Sequence, residues 1–144
     1  MMSPTAKFLI GLAAMLVMGW VYHGPLGNGA AFIDGLEGTA RQAVAETELP
    51  GIEVRLGHDP LSRAATLSGP ADDFQREGQG EFPGITDRVR AVEGLSGVGW
   101  ADEGGPDAGL PLLAETLLGL FIAYLLGLAL GWLIFGRERR DSYL

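Results

Sequence analysis

Cysteine is absent from this 144-residue chain. That absence excludes disulfide scaffolds, zinc–thiolate sites, cysteine-held iron–sulfur clusters and c-type haem attachment. Lysine is absent between residues 23 and 115, where 16 Asp and Glu stand against 6 Arg, a net charge of −10. Such a segment is repelled by nucleic acid and by anionic lipid headgroups, so a nucleic-acid partner is excluded. Charge of either sign is missing from two long runs, residues 8–22 and 116–135.

The second uncharged run has 20 residues, which as a helix is about 30 Å long, the thickness of a bilayer's hydrocarbon core. Leu110, Leu112, Leu113 and Ala114 extend it, and Pro111 suits a first helical turn. A membrane helix is therefore expected over 110–135, with Tyr124 and Trp132 as interface or packing aromatics. Glu115, near the start of this helix, reads as a headgroup-level residue. The first run predicts a membrane helix over 8–26, following a short N-terminal segment, 1–7. Its basic start, short apolar stretch and the small residues Gly29, Ala30 and Ala31 also describe a cleavable signal peptide, the alternative to an uncleaved anchor. Lys7 before the first span, and Arg137, Arg139 and Arg140 in the tail 136–144, predict that both termini stay inside and that the acidic middle lies across the membrane.

Gly119, Ala123, Gly127 and Gly131 recur every four residues on the second span. This spacing puts small residues on nearly one helical face and allows close backbone approach. The face suits the first span, a second copy or a larger complex; glycine is also simply common in membrane helices. Gly11 and Gly19 on the first span offer an intramolecular partner.

Between the spans, residues 32–47 carry Ile33, Leu36, Ala40, Val44 and Thr47 at helical spacing, with Asp34, Glu37, Arg41 and Glu46 assigned to the other face. Ile52, Val54 and Leu56 alternate with Glu53 and Arg55 as in a half-buried strand. A turn over 57–62 and a second strand through Ala65 and Leu67 complete a hairpin. Residues 72–84 read as a polar, glycine-rich loop with a short helical start; Ile85, Val89 and Val92 mark a second helix, and Val98 and Trp100 a third strand. The expected class is α+β: an αββαβ domain over 32–101, two helices on one face of a three-stranded sheet, set between two membrane helices. The Gly- and Pro-containing acidic stretch 102–109 reads as a mobile linker.

This element order resembles the BON domain, a small bacterial envelope module. The resemblance is carried by Ile52, Val54 and Leu56 in the first strand, by Leu67 and Gly69 closing the second, and by Gly94, Leu95 and Val98 near the end. It covers about half the chain. The interval between Gly69 and Gly94 departs from the family, being longer and interrupted by Gly78, Gly80, Pro83 and Gly84. The resemblance implies a periplasmic binding or scaffolding module, in contact with phospholipid or with other envelope proteins, and no catalysis. The plainer role of Gly69 and Gly94 is to end elements where a positive φ is needed.

No arrangement of residues suggests an active site. His23 and His58 read as solvated loop residues without a second ligand nearby. Asp72, Asp73, Glu77 and Glu81 lack the spacing of a calcium loop. The serines have no nucleophile context and no phosphate-binding glycine loop is present. Catalytic residues, metal ligands and cofactors are accordingly expected to be absent. The sequence points to a non-enzymatic protein of the bacterial inner membrane, with membrane lipids and other inner-membrane subunits as partners. The expected role is an accessory or scaffold subunit; the alternative is a stand-alone envelope protein whose domain contacts lipid or other envelope components.

Overall fold

A computed structural model describes residues 3–107 and 109–135. It is an α+β protein in which two long apolar helices, near either end, flank a small sheet domain. The chain divides into two compact units, the helices and the domain over 27–112.

The helices are α1 (Pro4–His23) and α5 (Leu112–Phe135). Ser3 caps α1, its Oγ accepting the Ala6 N–H at 3.1 Å, and Pro4 begins the helix where its missing N–H costs nothing. Lys7 is exposed in its early turns. Pro111 immediately precedes α5, and Glu115 stands in its first turn. Both helices are long and apolar enough to cross a membrane. Their large apolar side chains, Leu9, Val17, Met18, Leu126, Leu130 and Ile134 among them, face outward rather than into a protein core. The domain's net charge stands in contrast to these two surfaces.

The domain begins with α2 (Asn28–Ala45), four residues earlier than the apolar pattern indicates. Strands β1 (Glu53–His58) and β2 (Leu61–Ser68) form an antiparallel hairpin, pairing Val54 with Leu67 and Leu56 with Ala65. Strand β5 (Gly97–Trp100) lies parallel to β2 on its other side, giving the order β1-β2-β5. Between β2 and β5 come α3 (Asp73–Glu77), the two-residue strands β3 (Gly78–Gln79) and β4 (Phe82–Pro83), and α4 (Ile85–Arg90). Gly69 and Gly94 both have positive φ, at 126° and 99°, as element ends require.

One sheet face carries the core. Val54, Leu56, Ala65, Leu67 and Trp100 pack against Ile33, Leu36, Ala40 and Val44 of α2 and Ile85 and Val89 of α4. The strand alternation and the helical period therefore meet in one layer of apolar side chains. The opposite face is covered in part by the segment that composition assigns to a linker. Residues 101–103 form a 3-10 turn, the Gly105 N–H donates to the Trp100 carbonyl at 2.8 Å, and a Cβ at Gly99 would sit 2.6 Å from Gly105. Glycine at 99 admits the returning backbone, and the described residues of 102–109 group with the domain.

Candidate functional site

Within the helical unit, α1 and α5 run antiparallel. A Cβ placed on Gly19 would come 2.8 Å from Leu117 and 2.9 Å from Leu120; one on Gly11 would lie 2.7 Å from the Tyr124 hydroxyl. The Tyr124 hydroxyl donates to the Phe8 carbonyl at 2.9 Å, and the two rings stand 5.6 Å apart, tilted at 47°. Large residues of α5 therefore fill notches left by the glycines of α1. Tyr124 is a packing residue here, and its hydroxyl has a backbone partner, which an apolar surrounding demands.

The glycines of the small-residue stripe of α5 are not in contact with α1. A Cβ added at Gly119, Gly127 or Gly131 would meet no atom within 4 Å outside its own helix among the described residues. Gly119, Ala123 and Gly127 are exposed. The stripe winds round the helix: at about 100° per residue, Gly119 stands roughly 200° round from Leu117, whereas Gly127 and Gly131 come within roughly 20° of the direction of Leu120. Among the described residues, α1 does not come within 4 Å of a Cβ at any of these three glycines. Lys7 stays exposed on α1, whereas Arg137, Arg139 and Arg140 lie outside the described residues.

In the domain, the family-like residues Ile52, Val54, Leu56, Leu67, Leu95 and Val98 all belong to the core or pack against it, and Gly69 and Gly94 are turns. They build the fold, and Ile52, Val54 and Leu56 also form part of the apolar lining of a groove. The groove of about 660 Å³ between α2 and β1 does gather ionisable groups: Glu37, Arg41 and His58, with Glu53 and Arg55 on the strand.

Glu37 corrects the sequence reading. It is only 7% exposed, not solvent-facing. Its Oε2 accepts the Leu56 N–H at 2.8 Å and lies 3.1 Å from His58 Nε2, while Oε1 pairs with Arg41 one turn along the helix. Burial raises the Glu37 carboxyl. The Leu56 hydrogen bond, the His58 contact and the nearby positive charge of Arg41 together outweigh burial and hold the group below the ordinary carboxylate range. His58 is likewise no free loop residue: it ends β1, with Nδ1 3.8 Å from Asp34. Each Glu37 oxygen is engaged, so the carboxylate ties α2 to the outer strand.

A second polar cluster closes the other end of the sheet. The Arg76 guanidinium lies 4.2 Å from the Trp100 ring centroid and pairs with Asp102 and Glu103, each at 2.8 Å. Its hydrogen bond holds the Asp102 carboxyl low, against the opposing effect of burial. Trp100 Nε1–H donates to Thr86, whose hydroxyl donates to Glu77. Among the described residues no buried side-chain nitrogen or oxygen lacks a partner, and no three His, Asp or Glu gather as a metal site. No protein-family model, curated protein or solved structure matches this chain.

Proposed function

We propose that this chain is a non-catalytic inner-membrane protein, an accessory or scaffold subunit that docks in a larger membrane complex and presents its domain on the periplasmic side. What supports the reading is the small-residue stripe of α5: a Cβ at Gly119, Gly127 or Gly131 would have no described residue outside the helix within 4 Å. A membrane helix gains nothing from burying leucine against leucine instead of lipid; close backbone packing over small residues is the usual basis of helix association there. Gly127 and Gly131 form the GxxxG pair of that face. Lys7, Arg137, Arg139 and Arg140 favour cytoplasmic termini.

The test is gentle-detergent purification of the full chain with mass spectrometry of what accompanies it, alongside Gly127→Leu. The expected outcome is a fixed-stoichiometry assembly that the leucine disperses while the monomer keeps its fold. Association unchanged by Gly127→Leu would remove this face from the reading.

A second reading treats the domain as a BON-like module acting alone on phospholipid or other envelope components. The αββαβ order of α2, β1, β2, α4 and β5 favours it. The net charge of −10 over 23–115 sets a constraint: contact with anionic lipid must overcome repulsion. Flotation of residues 27–112 with phosphatidylcholine and phosphatidylglycerol vesicles tests it, and recovery of the domain only at the bottom of both gradients ends it.

A further inference from the structure

The stretch between Gly69 and Gly94, where the chain departs from the family pattern, builds a surface of its own. Phe82 is 72% exposed and Phe74 is 55% exposed, yet both line one groove of about 400 Å³. Leu49 and Pro83 also line the groove, with Glu46 and Asp72 and one cation, Arg88. Two aromatic rings more than half exposed leave apolar surface in water that a partner would bury.

The backbone that presents them is specified. Asp72 and Gln75 form a reciprocal cap at the start of α3, with bonds of 2.8 and 3.0 Å. The strands β3 and β4 pair Gln79 with Phe82 and Gly78 with Pro83. Gly78 has φ 73°, and any Cβ there would strike the Phe82 carbonyl. The hairpin closes only with glycine at 78, and closure places Phe82 at its tip.

Charge identifies the occupant. Glu46 and Asp72 at the groove are followed in sequence by Glu48 and Asp73, and Glu81 directly precedes Phe82. A groove lined by two carboxylates and one guanidinium, with three further carboxylates adjacent in sequence, is net negative; it disfavours anionic lipid and attracts cations. Guanidinium and ammonium groups also bind the faces of aromatic rings. We propose that the Phe74–Phe82 groove docks a segment of a partner protein that offers Arg or Lys beside an aliphatic side chain. The aliphatic group packs on Leu49 and Pro83, and the cation lies over a Phe ring within reach of Glu46 and Asp72. The inference rests on the domain being a binding module, and it is independent of the α5 face.

The experiment uses the full chain in phosphatidylcholine nanodiscs, with 4-fluorophenylalanine placed at position 74 or 82 and read by fluorine NMR. The probes are a heptapeptide alternating Arg with Leu and its counterpart alternating Glu with Leu. The expected result is a saturable shift of both resonances with the Arg peptide alone. Glu46→Lys, an exposed position, weakens it roughly fivefold, and Phe82→Ser abolishes the shift at position 74. Equal response to both peptides, or to neither, overturns the proposal. So does broadening of the Phe82 resonance by a spin-labelled headgroup lipid without peptide, which assigns the rings to the bilayer. Any of these failures alongside an intact effect of Gly127→Leu on assembly sinks the groove and leaves the scaffold reading standing.

Discussion

Glu37 stands four residues after Ile33 and three before Ala40, on the same helical stripe that buries Leu36 and Val44. The period that places Ile33 and Ala40 inward places Glu37 inward too, but in the sequence alone its charge assigns it to the other face. What the sequence does not show is the reason a carboxylate tolerates that position, because its partners, Leu56 and His58, are 19 and 21 residues away. Removing the carboxylate with Glu37→Ala leaves the Leu56 N–H without its acceptor, and a loss of about 1–3 kcal/mol is expected. Acid should act on the same tie. A carboxyl held low by the fold binds its proton less readily in the folded than in the unfolded chain. Its stabilisation is therefore complete above the ordinary value of 4.5 and disappears as the pH falls through the lower folded value. Thermal melts of residues 27–112 at a series of pH values, compared with Glu37→Gln, measure this. The stability difference between the two proteins should shrink below about pH 4.5; a difference that is constant with pH removes the charge from the explanation.

At the scale of elements, legibility followed pattern length. The two uncharged runs, the helical stripe of α2 and the alternation through Val54, Leu56, Ala65 and Leu67 were each long enough to display a period, and each element forms. The strands β3 and β4 have two residues apiece, too few for alternation, and the stretch holding them reads as loop. The segment after Trp100 reads as a linker because Gly and Pro dominate it, but its packing depends on the missing side chain of Gly99, a feature of a different element. The helix pair shows the same limit. Four-residue spacing reveals the stripe on α5, yet not that α1 meets Leu117, Leu120 and Tyr124 instead. Two substitutions separate these faces. Gly19→Leu must displace Leu117 and Leu120, and overpacking of this kind costs about 1–3 kcal/mol, so thermal stability of the isolated chain in detergent should fall. A Cβ at Gly127 meets no atom within 4 Å among the described residues, so the melting temperature of Gly127→Leu should fall less than that of Gly19→Leu. If Gly19→Leu melts with the parent, α1 and α5 do not pack through these residues.

For the whole molecule, charge and apolar surface are divided between the two units, and the division carries the argument about orientation. Moving a domain with a net charge of −9 over residues 27–112 across a bilayer is compatible with the positive-inside bias, because acidic residues contribute little to that bias while Lys and Arg near the spans dominate it. Lys7 on one side of the paired helices and the three arginines after residue 136 act in the same sense for an even number of spans. The cysteine-free sequence makes the consequence measurable, since one introduced cysteine is the only thiol present. Asp73 is exposed at the start of α3, and Asp73→Cys in intact cells with a permeable outer membrane should react with a membrane-impermeant maleimide. Ser142→Cys, in the basic tail, should react only after the inner membrane is opened. Replacing Arg137, Arg139 and Arg140 by Gln removes most of the orienting charge, so a mixed population is then expected, with Ser142→Cys labelled in part from outside. Labelling of the tail from outside in the unaltered chain would instead put the acidic domain in the cytoplasm, and the periplasmic side of the proposal would have to be abandoned while the packing of α1 on α5 stood.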